Sequence, residues 1–226
     1  GGQDGHPTHV LIILRHYIND MKELQLPMNL VTGASGLLGS HIVEQLRRRG
    51  LPVRALVRRG SDRSWLETQG VEFAVGDVTD PASLKAACAG VDVVYHSAAK
   101  VGDWGPWEDF QRITIDGTRN IVEAAIATGV RRFIHISSIS TYGYHTKDVT
   151  IDETFDLGYK LYRWAYYSRS KVAAERLVWE AHKAGLYSAG LCDFDVLDGL
   201  EEFLHGGELL GLRATVNLET RAFAQE

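Results

Sequence analysis

The side chains of Tyr167 and Lys171 have the types and the spacing that acid–base chemistry needs. They are four residues apart, so a helix would project both of them from one face. A free tyrosine has a pKa of about 10, and a nearby ammonium group favours the phenolate, which brings proton transfer closer to neutral pH. Pairs of this kind also arise by chance, so the interpretation depends on the rest of the chain.

Two hydroxyl groups, those of Ser137 and Ser138, follow an apolar run at residues 132–136. The run predicts a strand, and open α/β sheets bind ligands at the carboxyl ends of their strands. A serine at that end can donate a hydrogen bond to a substrate oxygen that gains negative charge. The alternative is that the serines end the strand by bonding to nearby backbone groups.

The segment TGASGLLG, at residues 32–39, lies between a predicted strand and a predicted helix. Its glycines permit a sharp turn, a close approach of the backbone to a pyrophosphate, and tight packing of the helix on the strand. Exposed amide groups and the positive end of the helix dipole would hold the phosphate oxygens. This placement favours dinucleotide binding, with a simple tight connection as the alternative.

Arginines follow the second predicted strand, where an enzyme that uses NAD usually carries an acidic residue. Arg58 and Arg59 stand there, and residues 47–63 hold seven arginines with Asp62 as the only acid. A guanidinium group suits a 2′-phosphate because it donates hydrogen bonds in pairs and stays charged. The sequence therefore favours NADP(H) over NAD(H), with a solvated basic face as the alternative.

Strand-like and helix-like stretches alternate from residue 28 onward, which is typical of a parallel sheet covered by helices. Short strands are predicted at residues 28–32, 52–57, 71–75, 91–95 and 132–136. Helices are predicted at residues 36–49, 81–87, 108–128 and 164–183. The predicted fold class is α/β, a Rossmann-like doubly wound parallel sheet with helices on both faces.

Both ends of the chain depart from this pattern. Residues 1–27 precede the first strand–helix–strand unit and are predicted to form an N-terminal extension. From residue 190 onward the chain has eight acidic residues against Arg213 and Arg221, a net charge of −6; since the whole chain carries −5, the rest is near +1. We therefore predict a nucleotide-binding domain at residues 28–189 and an atypical acidic segment at residues 190–226.

The composition argues against several classes of protein. The chain has 226 residues, 45% of them hydrophobic and 23% charged, which suffices for one sizeable core. The net charge of −5 argues against a general affinity for nucleic acid or for anionic membranes. Two cysteines fit a reducing cytosol, and the histidines lack any metal-ligand grouping. For the same reason we expect no bound metal. The apolar run at residues 10–14 is too short to span a bilayer, so we expect a soluble, cytoplasmic protein.

Together these motifs resemble the extended short-chain dehydrogenases/reductases, the NAD(P)-dependent epimerase/dehydratase family. Residues 32–39 match the TGxxGxxG turn of that family, residues 76–80 its DxxD-like segment, and residues 167–171 its YxxxK motif. The segment at residues 95–105 is similar to the HxAAxVG-type segment of the 3β-hydroxysteroid dehydrogenase, dihydroflavonol reductase and 3-oxoalkanoate reductase branches. Further matches are GTxN at residues 117–120, the serine pair, and Tyr142 with Gly143.

The resemblance implies roles for individual residues. Ser138, Tyr167 and Lys171 would form the catalytic triad, and Tyr167 and Lys171 would also contact the cofactor. The remaining cofactor-binding residues would be Gly33, Ser35, Gly36, Leu37, Leu38, Gly39, Arg58, Arg59, Asp77, Val78, Ala98, Ala99 and Lys100.

The sequence departs from the family pattern at two places. Thr114 stands where many members have the asparagine of NVxGT, which puts a water or backbone contact of that asparagine in doubt. After the helix with Tyr167 the family continues with a strand, an Arg-Pro motif and a substrate-binding subdomain. No proline follows Pro106 here, so the substrate subdomain is predicted to be short or atypical.

The implied activity is the NAD(P)-dependent interconversion of a secondary alcohol and a ketone. Asp103, Trp104 and Trp107 follow the fourth strand and would suit an apolar or ring-containing substrate, with packing as their alternative role. The alternative activities are a nucleotide-sugar epimerase or dehydratase that retains its NAD, and a cofactor-binding protein without turnover. The family also implies a homodimer that pairs the helices at residues 108–128 and 164–183.

Overall fold

A computed structural model of the chain describes residues 26–102, 104–143 and 155–186, and the backbone of residues 188–193 and 216–218. Seven parallel strands form one sheet in the order β3-β2-β1-β4-β5-β6-β7. The strands are β1 (Asn29–Thr32), β2 (Val53–Val57), β3 (Glu72–Val75), β4 (Val93–His96), β5 (Arg132–Ile136), β6 (Ser188–Asp193) and β7 (Val216–Leu218). The order reverses between β1 and β4, and ligands of such sheets bind at that point.

Helices cover both faces of this sheet, which confirms the predicted Rossmann-like class. They are α1 (Leu37–Arg48), α2 (Ser64–Thr68), α3 (Pro81–Cys88), α4 (Trp107–Phe110), α5 (Gly117–Thr128) and α6 (Tyr166–Lys183). A π-helical segment, Gln111–Asp116, joins α4 to α5, so the helix predicted at residues 108–128 has three parts. The short helix α2 and the strands β6 and β7 were not predicted.

The core has two halves, one on each face of the sheet. Leu30, Val94 and Phe133 point to one face and pack with apolar residues of α3, α5 and α6. Val31 and Ile134 point to the other face and pack with apolar residues of α1. Because parallel strands are covered on both faces, their sequences are apolar at successive positions instead of alternating.

Local sequence explains where the helices begin and end. In α3, the Asp80 carboxylate accepts a hydrogen bond from the Ala82 amide at 3.1 Å, and Pro81 occupies the first turn, where its missing N–H costs nothing. The last turn of α1 carries Arg47 and Arg48, whose charges favour the negative end of the helix dipole. Both helices consequently have fixed ends beside the sheet.

The ends of the chain are described only in part. Residues 1–25 of the predicted N-terminal extension lie outside the described residues. Strand β6 crosses the predicted boundary at residue 190, and β7 pairs with it in parallel, Leu191 opposite Val216. Among the helices that the structure describes, none combines the length and the apolar character needed to cross a membrane.

Candidate active site

A cavity of about 740 Å³ lies at the carboxyl ends of the strands around the reversal of strand order. Most of the predicted site residues line it: Gly33, Ser35, Gly36, Leu37, Leu38, Gly39, Arg58, Asp77, Val78, Ala98, Ala99, Lys100, Tyr167 and Lys171. The structure therefore brings predicted residues from five parts of the chain to one place. Arg59 and Ser138 do not line the cavity wall, whereas Ser137 does.

The glycine turn between β1 and α1 forms one wall of the cavity. Gly33 has φ 68°, a conformation that favours glycine, and a Cβ atom on Gly39 would lie 2.1 Å from the Gly33 carbonyl oxygen. Helix α1 begins at Leu37 without a side-chain cap and without an acidic residue in its first turn. Its first amides and its positive dipole end thus face the cavity, an arrangement that fits a pyrophosphate.

Arg58, at the end of β2, is the member of the arginine cluster that lines the cavity. Other arginines of the cluster make contacts outside the cavity. Arg47 donates to the carbonyl oxygens of Gln69 and Leu51, and Arg54 pairs with Glu72 at 2.7 Å. Arg47 and Arg54 therefore have structural contacts, which differ from the solvated basic face of the alternative interpretation, and Arg58 is the arginine of the cluster that lines the cavity.

The carboxyl group of Asp77, at the end of β3, also lines the cavity. Burial would raise its pKa, but hydrogen bonds from the Thr79 amide and hydroxyl, followed by the charges of Arg58 and Arg112, hold the pKa below its usual value. Asp77 is consequently an ionised acceptor at neutral pH.

Helix α6 presents Tyr167 and Lys171 to the cavity one turn apart, as the spacing predicted. The Lys171 side chain is buried, and its ammonium group donates a short hydrogen bond to the Ile136 carbonyl oxygen at the end of β5. Tyr167 is half-buried beside it. Both side chains line the same cavity, and the positive charge of Lys171 is held in place there by its bond to the end of β5.

The two serines after β5 have different surroundings. The Ser137 hydroxyl donates a short hydrogen bond to the Glu175 carboxylate. Ser138 is buried, and its Oγ lies 2.9 Å from Ser140 Oγ, where either hydroxyl can donate. Because the Ser137 proton is committed to a carboxylate, Ser138 is the serine whose hydroxyl can turn to another acceptor.

Glu175 is a residue of this site that the sequence reasoning missed. It lies four residues after Lys171 on α6, and the Trp179 indole N–H donates to its second carboxylate oxygen at 3.3 Å. The signal was available, because residues four apart on a helix share a face. Glu175 and Lys171 together attach α6 to the end of β5.

A buried hydrogen-bond chain starts at the glycine turn and fixes the tautomer of His96. The Ala98 amide donates to Thr32 Oγ1, which leaves the Thr32 hydroxyl to donate to His96 Nδ1 at 2.8 Å. His96 Nε2 must then carry the proton and donate to Thr118 Oγ1 at 3.0 Å, since the Thr118 hydroxyl itself donates to the Thr114 carbonyl oxygen. This chain holds β1, β4 and α5 in register.

Thr114, which replaces the asparagine of many family members, retains a backbone contact. Its buried hydroxyl oxygen accepts a hydrogen bond from the Lys100 amide at 2.9 Å. The loop after β4 is thereby attached to the π-helical segment that contains Thr114. Thr114 thus makes a backbone contact at this position with a side chain shorter than that of asparagine.

Trp104 and Trp107, two of the three residues predicted to contact the substrate, are not part of the cavity wall. Trp104 is 89% exposed, and Asp103 lies outside the described residues. Trp107 packs edge-on against Tyr166, with ring centroids 5.5 Å apart, and the Arg169 guanidinium lies 4.8 Å from the Trp107 ring. For Trp107 the structure shows the packing role that the sequence left as an alternative.

Comparison with known proteins agrees with this geometry. The profile of the NAD-dependent epimerase/dehydratase family matches residues 29–192, which include the glycine turn, the serine pair, and Tyr167 with Lys171. The chain belongs to this family.

Two relatives indicate which branch of the family is similar. Sterol demethylase protein B of Methylococcus capsulatus is 42% identical over 115 residues, which cover 50% of this chain and 35% of the relative. A 2-alkyl-3-oxoalkanoate reductase of Stenotrophomonas maltophilia is 34% identical over 162 residues, covering 72% and 48%. The chain thus spans less than half the length of these curated relatives.

Two solved structures share the fold. A short-chain dehydrogenase/reductase superfamily protein from Agrobacterium tumefaciens with bound NAD is 28% identical, with a TM-score of 0.63 over 81% of this chain and 59% of the other. MoeE5 in complex with UDP-glucose and NAD is 32% identical, with a TM-score of 0.60 over 73% and 52%.

The two buried histidines, His96 and His135, should make the free energy of unfolding depend on pH. Burial, followed by the charge of Lys171, lowers the pKa of His96 to about 3, and the same causes lower the pKa of His135 well below its usual value. The unfolded chain takes up protons below about pH 6.5, but the folded chain does not. The free energy of unfolding should therefore fall by about 2 kcal/mol for each histidine between pH 7 and pH 5. Urea titrations at constant ionic strength measure this fall.

A substitution at His135 tests this cause. Neither of its ring nitrogens has a hydrogen-bond partner within the described residues. His135→Leu therefore removes two buried, unpaired polar atoms, which destabilise the folded state, and breaks no hydrogen bond. The variant should be at least as stable at pH 7 and should lose about half of the pH dependence. The exposed His41, replaced in His41→Gln, is the control and should change neither quantity. An unchanged pH dependence in His135→Leu would refute the prediction.

Proposed function

We propose that the protein is an NAD(P)-dependent oxidoreductase that interconverts a secondary alcohol and a ketone. The observation that carries this proposal is the position of Tyr167 and Lys171 on one face of α6, in the cavity that the glycine turn also lines. The bound dinucleotide would supply the hydride donor or acceptor. The residues present fit such a group, because α1 begins at the cavity without a side-chain cap and without an acidic residue in its first turn.

Each catalytic side chain would have a separate task. The Tyr167 phenol would give its proton to the oxygen of a ketone, or take the proton from an alcohol. The Lys171 ammonium would lower the pKa of that phenol and donate to a ribose hydroxyl. Ser138 would donate a hydrogen bond to the substrate oxygen as negative charge develops on it. The commitment of the Ser137 proton to Glu175 supports Ser138 in this task, which requires the buried Ser138 hydroxyl to turn toward a cavity that it does not line.

The substrate class that we favour is a ketone or alcohol carrying an alkyl chain or a ring system. Relatives named as a sterol demethylase protein and as a 2-alkyl-3-oxoalkanoate reductase support it. The match covers 35% and 48% of these relatives, so the proposal names a substrate class and no single substrate. A panel of sterols, β-keto acids, flavonols and nucleotide sugars, followed by cofactor absorbance, tests the assignment.

A nucleotide-sugar epimerase with retained NAD is the second candidate, and the likeness to MoeE5 with UDP-glucose and NAD supports it. Both activities would use the same tyrosine and lysine. They differ in redox balance, because an epimerase returns the hydride within each turnover. A net change of absorbance with stoichiometric product favours the oxidoreductase, and sugar conversion without such a change favours the epimerase. Cofactor binding without conversion of any panel member would support a non-catalytic binding protein.

Arg58 supports a preference for NADP(H), since its guanidinium lines the cavity at the end of β2. Arg58→Asp should weaken NADPH at least about 10-fold more than NADH, because a donor to the 2′-phosphate becomes a like charge. Fluorescence titration of both cofactors measures the ratio. Arg59→Asp is the matched control, since Arg59 is exposed and does not line the cavity. A wild-type chain that binds NADH more tightly than NADPH would contradict the preference.

Tyr167→Phe tests the proton transfer. The substitution removes the phenolic oxygen and keeps the ring, so cofactor affinity should change little while turnover falls by about 10²- to 10⁴-fold. Tyr166→Phe is the matched control, because Tyr166 uses its ring against Trp107 and Phe110. Its turnover should remain near the wild-type rate. Retained turnover in Tyr167→Phe would exclude this tyrosine as the acid–base group.

We propose further that the protein is cytoplasmic and forms a homodimer through α5 and α6. Ile126 on α5 is 54% exposed, which supports an apolar contact on that helix. Sedimentation at micromolar concentration should give a dimer, and Ile126→Glu should give a monomer. The exposed Glu123 on the same helix provides a control, Glu123→Gln, that should remain dimeric. A monomeric wild-type chain would refute this assembly.

A further inference from the structure

Arg112 lines the cavity, yet neither the sequence motifs nor the proposed function assigns it a task. We propose that its guanidinium group packs against the adenine ring of the bound dinucleotide. The inference rests on the proposed function, because it requires a dinucleotide in this cavity. Arg112 would strengthen the binding of NAD(H) and NADP(H) alike.

The position of Arg112 places it at the adenosine end of the cavity. It lies in the π-helical segment directly before Ile113, which lines the cavity with Leu56 and Val78. These three side chains come from the π-helical segment, β2 and the end of β3, and they give the cavity an apolar wall. A flat heterocycle fits such a wall, because its faces are apolar and its edges carry the polar atoms.

Electrostatics places Arg112 close to the same end. The carboxylate of Asp77 is influenced by the charges of both Arg58 and Arg112, which approach it from different elements. Two guanidinium groups therefore lie around the ends of β2 and β3, one of them beside the apolar wall. In this fold the end of the second strand approaches the adenosine ribose, and Arg58 follows that strand. We therefore assign Arg112, the other guanidinium group, to the base.

The Arg112 side chain is free to turn toward a ligand. Its ion pair with Asp109, at 3.0 Å, joins two exposed side chains, 57% and 38% accessible, on the same helix. Exposed pairs of this kind contribute little to stability, so exchanging the pair for a ligand contact has a small cost. Guanidinium groups are planar and stack on aromatic faces, whereas the compact ammonium group of lysine does so less well.

The test compares Arg112 with an arginine in the same local setting. Arg119 pairs with Asp116 at 2.7 Å with the same spacing, one helical stretch later, and does not line the cavity. Affinities for NADH and NADPH are measured by fluorescence titration of the full chain. Arg112→Ala should weaken both by a similar factor, about 2- to 30-fold, and Arg112→Lys should recover only part of the loss. Arg119→Ala should leave both affinities unchanged.

Several results would overturn the inference. If Arg112→Ala binds both dinucleotides as Arg119→Ala does, Arg112 makes no contact with the cofactor. If it loses NADPH selectively, the guanidinium contacts the 2′-phosphate instead of the base. If the wild-type chain binds neither dinucleotide, the proposed function fails and the inference fails with it. If the wild type binds both dinucleotides and Arg112→Ala binds them with the same affinity, only the inference is rejected. Equal thermal unfolding of the two alanine variants excludes misfolding as the cause.

Discussion

The buried hydrogen bond from the Lys171 ammonium group to the Ile136 carbonyl oxygen connects the two halves of the site. It joins α6, which carries Tyr167, to the end of β5, which carries the serines. A buried ammonium group needs such a partner, because an unpaired charge in the interior would be strongly destabilising. The same charge adds to burial in lowering the pKa of the two buried histidines. One buried cation therefore joins the two elements that carry the site residues and contributes to the lowered pKa of both histidines.

The strands and helices near the glycine turn could be predicted closely from sequence. Hydrophobic spacing and a terminal glycine located α1 to within one residue at each end, and the run at residues 132–136 became β5 with the same bounds. Local chemistry sufficed there because each element contains its own signals. Helix α6 was predicted to begin at residue 164 but begins at Tyr166, since the preceding residues form turns.

Other features depend on contacts between distant residues. The π-helical segment has an ordinary helical sequence, and the hydrogen bond from the Lys100 amide to Thr114 within it joins residues 14 positions apart. In the site, the spacing of Tyr167 and Lys171 was sufficient to predict their proximity. The link between Ser137 and Glu175 spans 38 residues, and no local pattern marks it. The packing of Trp107 on Tyr166 likewise required knowledge of where α4 meets α6.

The π-helical segment also fixes the length of the chain between β4 and α5. A π turn holds one residue more than an α turn, so the loss of one residue within Gln111–Asp116 would restore ordinary helix. Every side chain on the N-terminal side would then rotate by about 100° around the helix axis. Phe110, now fully buried, would leave the core, and Arg112 would leave the cavity wall. Insertions and deletions in this region should accordingly be confined to the exposed loop near Trp104.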